Sequence, residues 1–184
     1  MKIPIEINNV EFKECSSRDH LKAIVQMNAQ TLLDLSLDHH DHLLRKNSIE
    51  TLSKCLEDPH VTLGAWHKDK EGKDEMIAFA ILYYPEDNSD ENLSLDLEDI
   101  QVKGQKTANY KLCIVKKEYR GNSLQYKLGQ HLEKYAIKQN VTLLCCTISP
   151  DNEHSIKSIL SLGYTFNKKI KKYGLERNLY YKFI

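Results

Sequence analysis

No run of apolar residues here is long enough to cross a membrane. Stretches such as Met76–Tyr84 fall far short of the roughly 20 residues a spanning helix needs. There is no excess of either charge: Lys plus Arg and Asp plus Glu number 26 each, so no global field draws the chain to nucleic acid or an anionic bilayer. The opening MKIPIEINNVEF has no apolar core followed by small residues, so no secretion signal is expected. The five cysteines (Cys15, Cys55, Cys113, Cys145, Cys146) are odd in number, include an adjacent pair in an apolar run, and contain no Cys-x-x-Cys. That excludes a disulfide framework or a zinc site of the usual spacing. They read as small core hydrophobes in a reducing compartment, and the expected location is cytoplasmic.

What is present is an ordinary globular composition. With 184 residues, 41% hydrophobic and 28% charged, the chain suffices for one well-buried α/β domain over 1–184 and is too short for two comfortable ones. Ser16-Ser17-Arg18-Asp19 offers helix caps, and Leu21, Ile24, Val25, Leu32 and Leu33 follow at helical spacing. A second helix is expected through Ser48–Leu56, stopping near Pro59. VTLGAWH (61–67) and EMIAFAILYY (75–84) read as strands joined by a turn at Glu71-Gly72, with Trp66 as a core residue. Residues 85–107 then break the pattern as a surface insertion, with seven acidic residues and no basic one between 86 and 99. After it NYKLCIV predicts a strand, 123–139 a helix, TLLCCTI a strand, and 152–162 a helix ending at Gly163. Two further strands are expected near 164–170 and 177–183. Alternating strands and helices imply a mostly parallel or mixed sheet with helices on its faces.

The stretch VKKEYRGNSLQYKLGQHL (115–132) raises a functional question. Arg120 and Gly121 stand where a strand ends and a helix opens, and Leu124, Leu128 and Leu132 give that helix a buried face. A helix N-terminus presents unpaired N–H groups and a partial positive charge. Glycine lets an anion approach the backbone, and arginine forms charge-assisted contacts with phosphate. Two readings stand: a pyrophosphate cradle, or a surface turn shaped by Arg-Gly.

The segment TISPDNEHSIKSILSLGY (147–164) adds a second motif. Arg120, Gly121, Asn122, Ser123, Leu124 and Gln125, followed by Asn152, Ser155, Ile156 and Gly163-Tyr164, resemble the two motifs of the GNAT acyltransferase superfamily. In that family Arg/Gln-x-x-Gly-x-Gly/Ala opens the central helix, and an Asn opens the next. The resemblance is specific over about 108–184. It implies a mixed α/β fold, mostly antiparallel, with a splayed parallel strand pair and helices on both faces. It also implies acetyl-CoA as donor and a primary amine as acceptor, small-molecule or peptide, attacking the thioester directly in a ternary complex. Neither nucleic acid nor membrane is an expected partner, no metal is required, and a homodimer is allowed.

Carried over by position, the resemblance assigns the backbone of Cys113, Ile114 and Val115 to the pantetheine arm. The amides of Arg120, Gly121, Asn122, Ser123, Leu124 and Gln125 would hold the pyrophosphate, with Asn152 and Ser155 near the pantetheine. Three positions depart from the family pattern. Ser123 stands where it favours Gly, Gln125 where it favours Gly or Ala, and Ile159 where a Tyr often protonates the departing thiolate. An isoleucine cannot move protons. Either another residue or water serves, or the chain is a non-catalytic CoA-binding regulatory or interaction module of the same fold.

Tyr173 and Glu176, in KKYGLERNLYYKF, are the candidate acid and base, and the competing reading is packing at the end of the sheet. LDHHDHLLRKN invites a metal reading, but adjacent ligands on an irregular segment rarely converge on one ion. A substrate rim or a solvated turn fits it better. The acidic 86–99 segment is either a solvated insertion or a means of steering a cationic amine.

Overall fold

The computed structural model describes residues 2–68 and 71–184. Ser17 caps α1 (Arg18–Leu37): its hydroxyl accepts from the His20 N–H at 3.1 Å, and the His20 ring reaches back to the Ser17 N–H. That is a capping box in which histidine stands where Glu or Gln is usual. Ser48 caps the short α2 (Ile49–Lys54) in the same way, accepting from the Thr51 N–H. Leu52 and Cys55, with Ile24 and Met27 of α1, are buried against one face of the sheet.

The sheet has seven strands in the order β1-β2-β3-β4-β5-β7-β6. They are β1 (Glu11–Glu14), β2 (Val61–Lys68), β3 (Asp74–Tyr83), β4 (Thr107–Val115), β5 (Leu143–Ile148), β6 (Thr165–Lys172) and β7 (Leu175–Phe183). Every neighbouring pair is antiparallel except β4–β5. This is the mixed, mostly antiparallel fold implied by the resemblance. β1 was not anticipated, because four residues with an exposed, charged end at each side carry almost no apolar alternation. Pairing to β2, with Phe12 opposite Ala65, makes it a strand.

Alternation along the central strands splits the core. Ala78, Ala80 and Leu82 of β3 face α3 (Leu124–Lys138) and α4 (Glu153–Ser161), whereas Phe79 and Ile81 face α1 and α2. On β5 and β7, Leu144, Cys146 and Tyr180 join α3 and α4, and Leu143, Cys145 and Leu179 face the other way. The 85–107 insertion covers that second face with Leu93, packed by Leu97 and Val102. All four of Cys15, Cys55, Cys145 and Cys146 are buried free thiols, as expected of core residues.

α3 and α4 touch at Gly129, where a Cβ would lie 2.4 Å from Leu162 Cδ1. Gly129→Val should therefore destabilise the fold by about 1–3 kcal/mol through overpacking. Urea unfolding measures it, and Leu162→Ala in the same chain should recover part of the loss, giving a non-additive pair.

Candidate active site

β4 and β5 run together for three pairs only, from Thr107–Leu143 to Asn109–Cys145. Beyond that β5 stays with β7 as far as Ile148, and β4 stays with β3 as far as Val115. The strands part there. Ile81 opposes Leu112 but Leu82 opposes Tyr110, so Lys111 is an extra residue in β4. Such a bulge bends its strand and increases local twist, which carries β4 away from β5. One edge of β4 from Tyr110 to Val115, including Cys113, Ile114 and Val115, is left without a strand partner among the described residues. An extended chain bearing amides can pair with such an edge.

The turn before α3 lies at the end of that edge. Gly121 at φ 93° and Ser123 at φ 58° are both left-handed. For glycine this is free, whereas for Ser123 it costs roughly 1–2 kcal/mol. The family's preference for Gly at that position thus has a backbone cause here. Ser123 forms no side-chain cap. Among the described residues, the N–H groups of Gly121 through Tyr126 donate to no acceptor. Packing tolerates this: Leu124, Leu128 and Leu132 are buried at about 1.5–3 kcal/mol each, against about 1 for a cap.

Side chains around the turn are already committed. Arg120 Nε donates to the Val115 carbonyl at 3.2 Å, which holds the exposed guanidinium beside the turn. Asn122 Oδ1 accepts from the Ile5 N–H at 3.1 Å, and its Nδ2 donates to the carbonyls of Ile3 and Tyr119, each at 2.9 Å. Only the backbone of Asn122 is free for a ligand. Asn152 Oδ1 caps α4 by accepting from the Ser155 N–H, and the Ser155 hydroxyl donates to Gln125 Oε1 at 3.4 Å. The two sequence motifs therefore meet across the opening, joined by the Gln125 side chain that departs from the family pattern. Ile159 is 1% exposed and belongs to the core between α3 and α4. Burial pushes the Cys113 thiol up to about 12, so it is no nucleophile at neutral pH.

On the other face of the sheet, against the same opening, lies a cleft of about 70 Å³. Its walls are the α1–α2 loop (Leu43, Leu44, Arg45, Asn47), residues 109–112 of β4, Leu93, Thr147, Tyr173 and Arg177. Tyr173 and Gly174 form the two-residue turn between β6 and β7, at φ 56° and 74°. That is the left-handed geometry of a hairpin turn, usually given to Asn or Gly. A tyrosine there is strained, and strain concentrates at functional sites. The Arg45 guanidinium sits 3.7 Å from its ring centre. Burial, reinforced by the Glu91 carboxylate, pushes its phenol up to about 12.

Glu176 is not in the cleft. It lies exposed opposite Lys171, because alternation along β7 turns the next residue, Arg177, inward instead. Arg177 is 3% exposed, and its Nη1 donates to the His42 carbonyl at 2.8 Å. Desolvation lowers its pKa from the ordinary guanidinium value without threatening its charge. His42 Nε2 in turn lies 3.0 Å from Asp151, which straps the histidine-rich loop across the cleft as its rim. Among the described residues no three His, Cys, Asp or Glu converge on a metal position. Three of the seven acidic residues of the insertion are also committed. Glu91 pairs with both Arg45 and Lys111, Asp96 with Lys172, and Glu98 with Lys168, so the acidic residues nearest the cleft are neutralised locally.

Arg45, Lys111, Glu91 and Arg177 were not singled out by sequence. Only Arg177 left a signal: it shares strand register with Leu175 and Leu179, an arginine in line with apolar residues.

The acetyltransferase (GNAT) family profile matches residues 24–164. The chain belongs to that family. No curated protein matches it in sequence. GNAT folds of low identity superpose over nearly the whole chain. A Listeria monocytogenes GNAT-family acetyltransferase shares 16% identity at TM-score 0.71, covering 98% of this chain and 99% of that one. Arabidopsis thaliana NAA60, solved in complex with acetyl-CoA, shares 15% at TM-score 0.69, covering 95% and 98%. A Brucella melitensis ribosomal-protein-alanine N-acetyltransferase shares 16% at TM-score 0.67, covering 95% and 99%. In this GNAT fold the N-terminal segment is held to the α3 turn through Asn122. Asn122→Ala should cost roughly 1–3 kcal/mol by leaving part-buried backbone groups unpaired. Hydrogen exchange should show the Ile5 amide opening faster, with the α4 amides unchanged.

Proposed function

We propose that this chain is an acetyl-CoA-dependent N-acetyltransferase that moves an acetyl group to a primary amine held in the cleft. The observation that carries this reading is the run of N–H groups from Gly121 to Tyr126 that donate to no acceptor among the described residues, next to the edge of β4 that has no strand partner among them. Those donors suit a pyrophosphate, and the edge suits an amide-bearing arm. Acetyl-CoA supplies the acetyl group as a thioester. Cys113, Ile114 and Val115 align the arm through their backbone, and residues 120–125 hold the pyrophosphate through theirs. Asn152 and Ser155 flank the arm from the start of α4.

The cleft brings the amine to the opposite side of the opening, so direct attack needs no covalent enzyme intermediate. As the new C–N bond forms and the C–S bond breaks, the nitrogen, cationic after attack, releases a proton to water and the departing sulfur takes one. Tyr173 is our candidate donor, since its phenol stays protonated at neutral pH and lines the cleft. Glu176 faces away and is not part of this proposal. A second reading, a CoA-binding module without chemistry, rests on Ile159 being a core residue where an acid often stands.

Calorimetric titration with acetyl-CoA and CoA tests the common part of both readings. Heat should appear below millimolar ligand, and Arg120→Ala should weaken binding by roughly 1.5–3 kcal/mol, as for a charged hydrogen bond. Silence from folded protein would remove CoA binding altogether. Turnover separates the two readings. Tyr173→Phe keeps the ring under Arg45 and should slow the best amine about 100-fold, the lower end for a general acid. Unchanged turnover would remove Tyr173 from the mechanism.

A further inference from the structure

Arg177 is the buried cation of the cleft that lacks an anion. It is 3% exposed, yet no carboxylate pairs with it among the described residues, and its one hydrogen bond goes to the His42 carbonyl. Among the described residues, its other guanidinium donors have no protein acceptor. A charge withdrawn from water without a counterion is costly, and buried charges are normally paired. The cleft has none to offer. The nearby carboxylates are committed elsewhere: Glu91 serves Arg45 at 2.8 Å and Lys111, Asp96 serves Lys172, and Asp151 lies 3.0 Å from His42. Arg45 and Lys111 thus share Glu91, and Arg177, in the same cleft wall, pairs with no carboxylate among the described residues.

A planar guanidinium with free donors matches a carboxylate in two-point geometry. Resting on the acetyltransferase reading, we propose that Arg177 binds a carboxylate on the acceptor, so that the substrate is a small amine carrying its own acid group. The cleft is small and Arg177 lies in its wall, which suits a compact acid group. Arg177 sits opposite Ile170 on β7, one residue past the end of the β5–β7 ladder at Ile148–Asn178. An acid held there leaves the amine on the side of the opening between β4 and β5. Arg177 is then a specificity residue, acting on which amine is retained.

The test compares L-α-amino acids with the corresponding amino-acid amides, which keep the amine and side chain and lose only the carboxylate charge. Binding to the folded protein is read by calorimetry with and without CoA, and kcat/KM with acetyl-CoA is measured for each pair. The preferred acid should exceed its amide by roughly 10–100-fold, the scale of charged hydrogen bonds. Arg177→Gln should collapse that ratio toward one, and Arg177→Lys should keep part of it. Acetyl-CoA binding should be the same in all three proteins. Amides bound or acetylated as well as acids would overturn the proposal, as would an Arg177→Gln variant that keeps the preference. If either variant does not fold, the wild-type ratio alone decides. Acids bound through Arg177 without heat from acetyl-CoA would leave the anion site standing and remove the acetyltransferase reading.

Discussion

The parting of β4 from β5 after Asn109–Cys145 is the constraint on which the rest of the site depends. Each strand is held elsewhere, β4 by β3 and β5 by β7, so the gap between them cannot close by ordinary pairing. α3 and α4 cover one side of it, packed through Leu128, Leu132, Ile159 and Leu162. Small polar contacts tie α3 to β4 and to α4: Tyr110 donates its hydroxyl to the Gln125 carbonyl at 3.2 Å, and Ser155 donates to the Gln125 side chain. Each is worth about 1 kcal/mol, less than one buried leucine. Apolar packing therefore holds the helices in place, and the polar contacts set their register across the opening.

Because packing carries α3, its N-terminus can be left unsatisfied. A helix that depended on its cap would not put an uncapped, left-handed serine at its start. The same trade appears at Tyr173, where a bulky residue occupies a turn geometry better suited to Asn or Gly. Both strained residues border the opening, one on each face of the sheet. The β6–β7 ladder, from Thr165–Tyr181 to Lys172–Leu175, supplies the stability that holds the second in place.

The electrostatics of the cleft belong to the acidic insertion. Sequence alone shows seven carboxylates in a row of surface-type residues, which reads as an attraction for cations. Folded, Glu91, Asp96 and Glu98 neutralise the protein's own Arg45, Lys111, Lys172 and Lys168. Within the cleft wall, Arg177 is then left without a carboxylate partner among the described residues. The charged residues lining the cleft are thus basic, although the neighbouring sequence segment is acidic.

Periodicity was enough to read the helices and long strands, because one face of each is apolar and the alternation is regular. The phosphate-type turn was also legible, since a helix start with Arg-Gly behind a strand is a local arrangement. The Asn122 tether was not, because its partners lie 117 and 119 residues away. Nor was β1, which is a strand only by virtue of β2. Glu176 and Arg177 illustrate the limit most sharply: sequence places both at the end of the sheet, and only strand pairing decides which of two neighbours points inward. Local order thus followed from the sequence itself, whose hydrophobic period is a property of neighbouring residues. The cleft and its charge were decided by tertiary structure, which alone brings β4, β7, the α1–α2 loop and the insertion to one place.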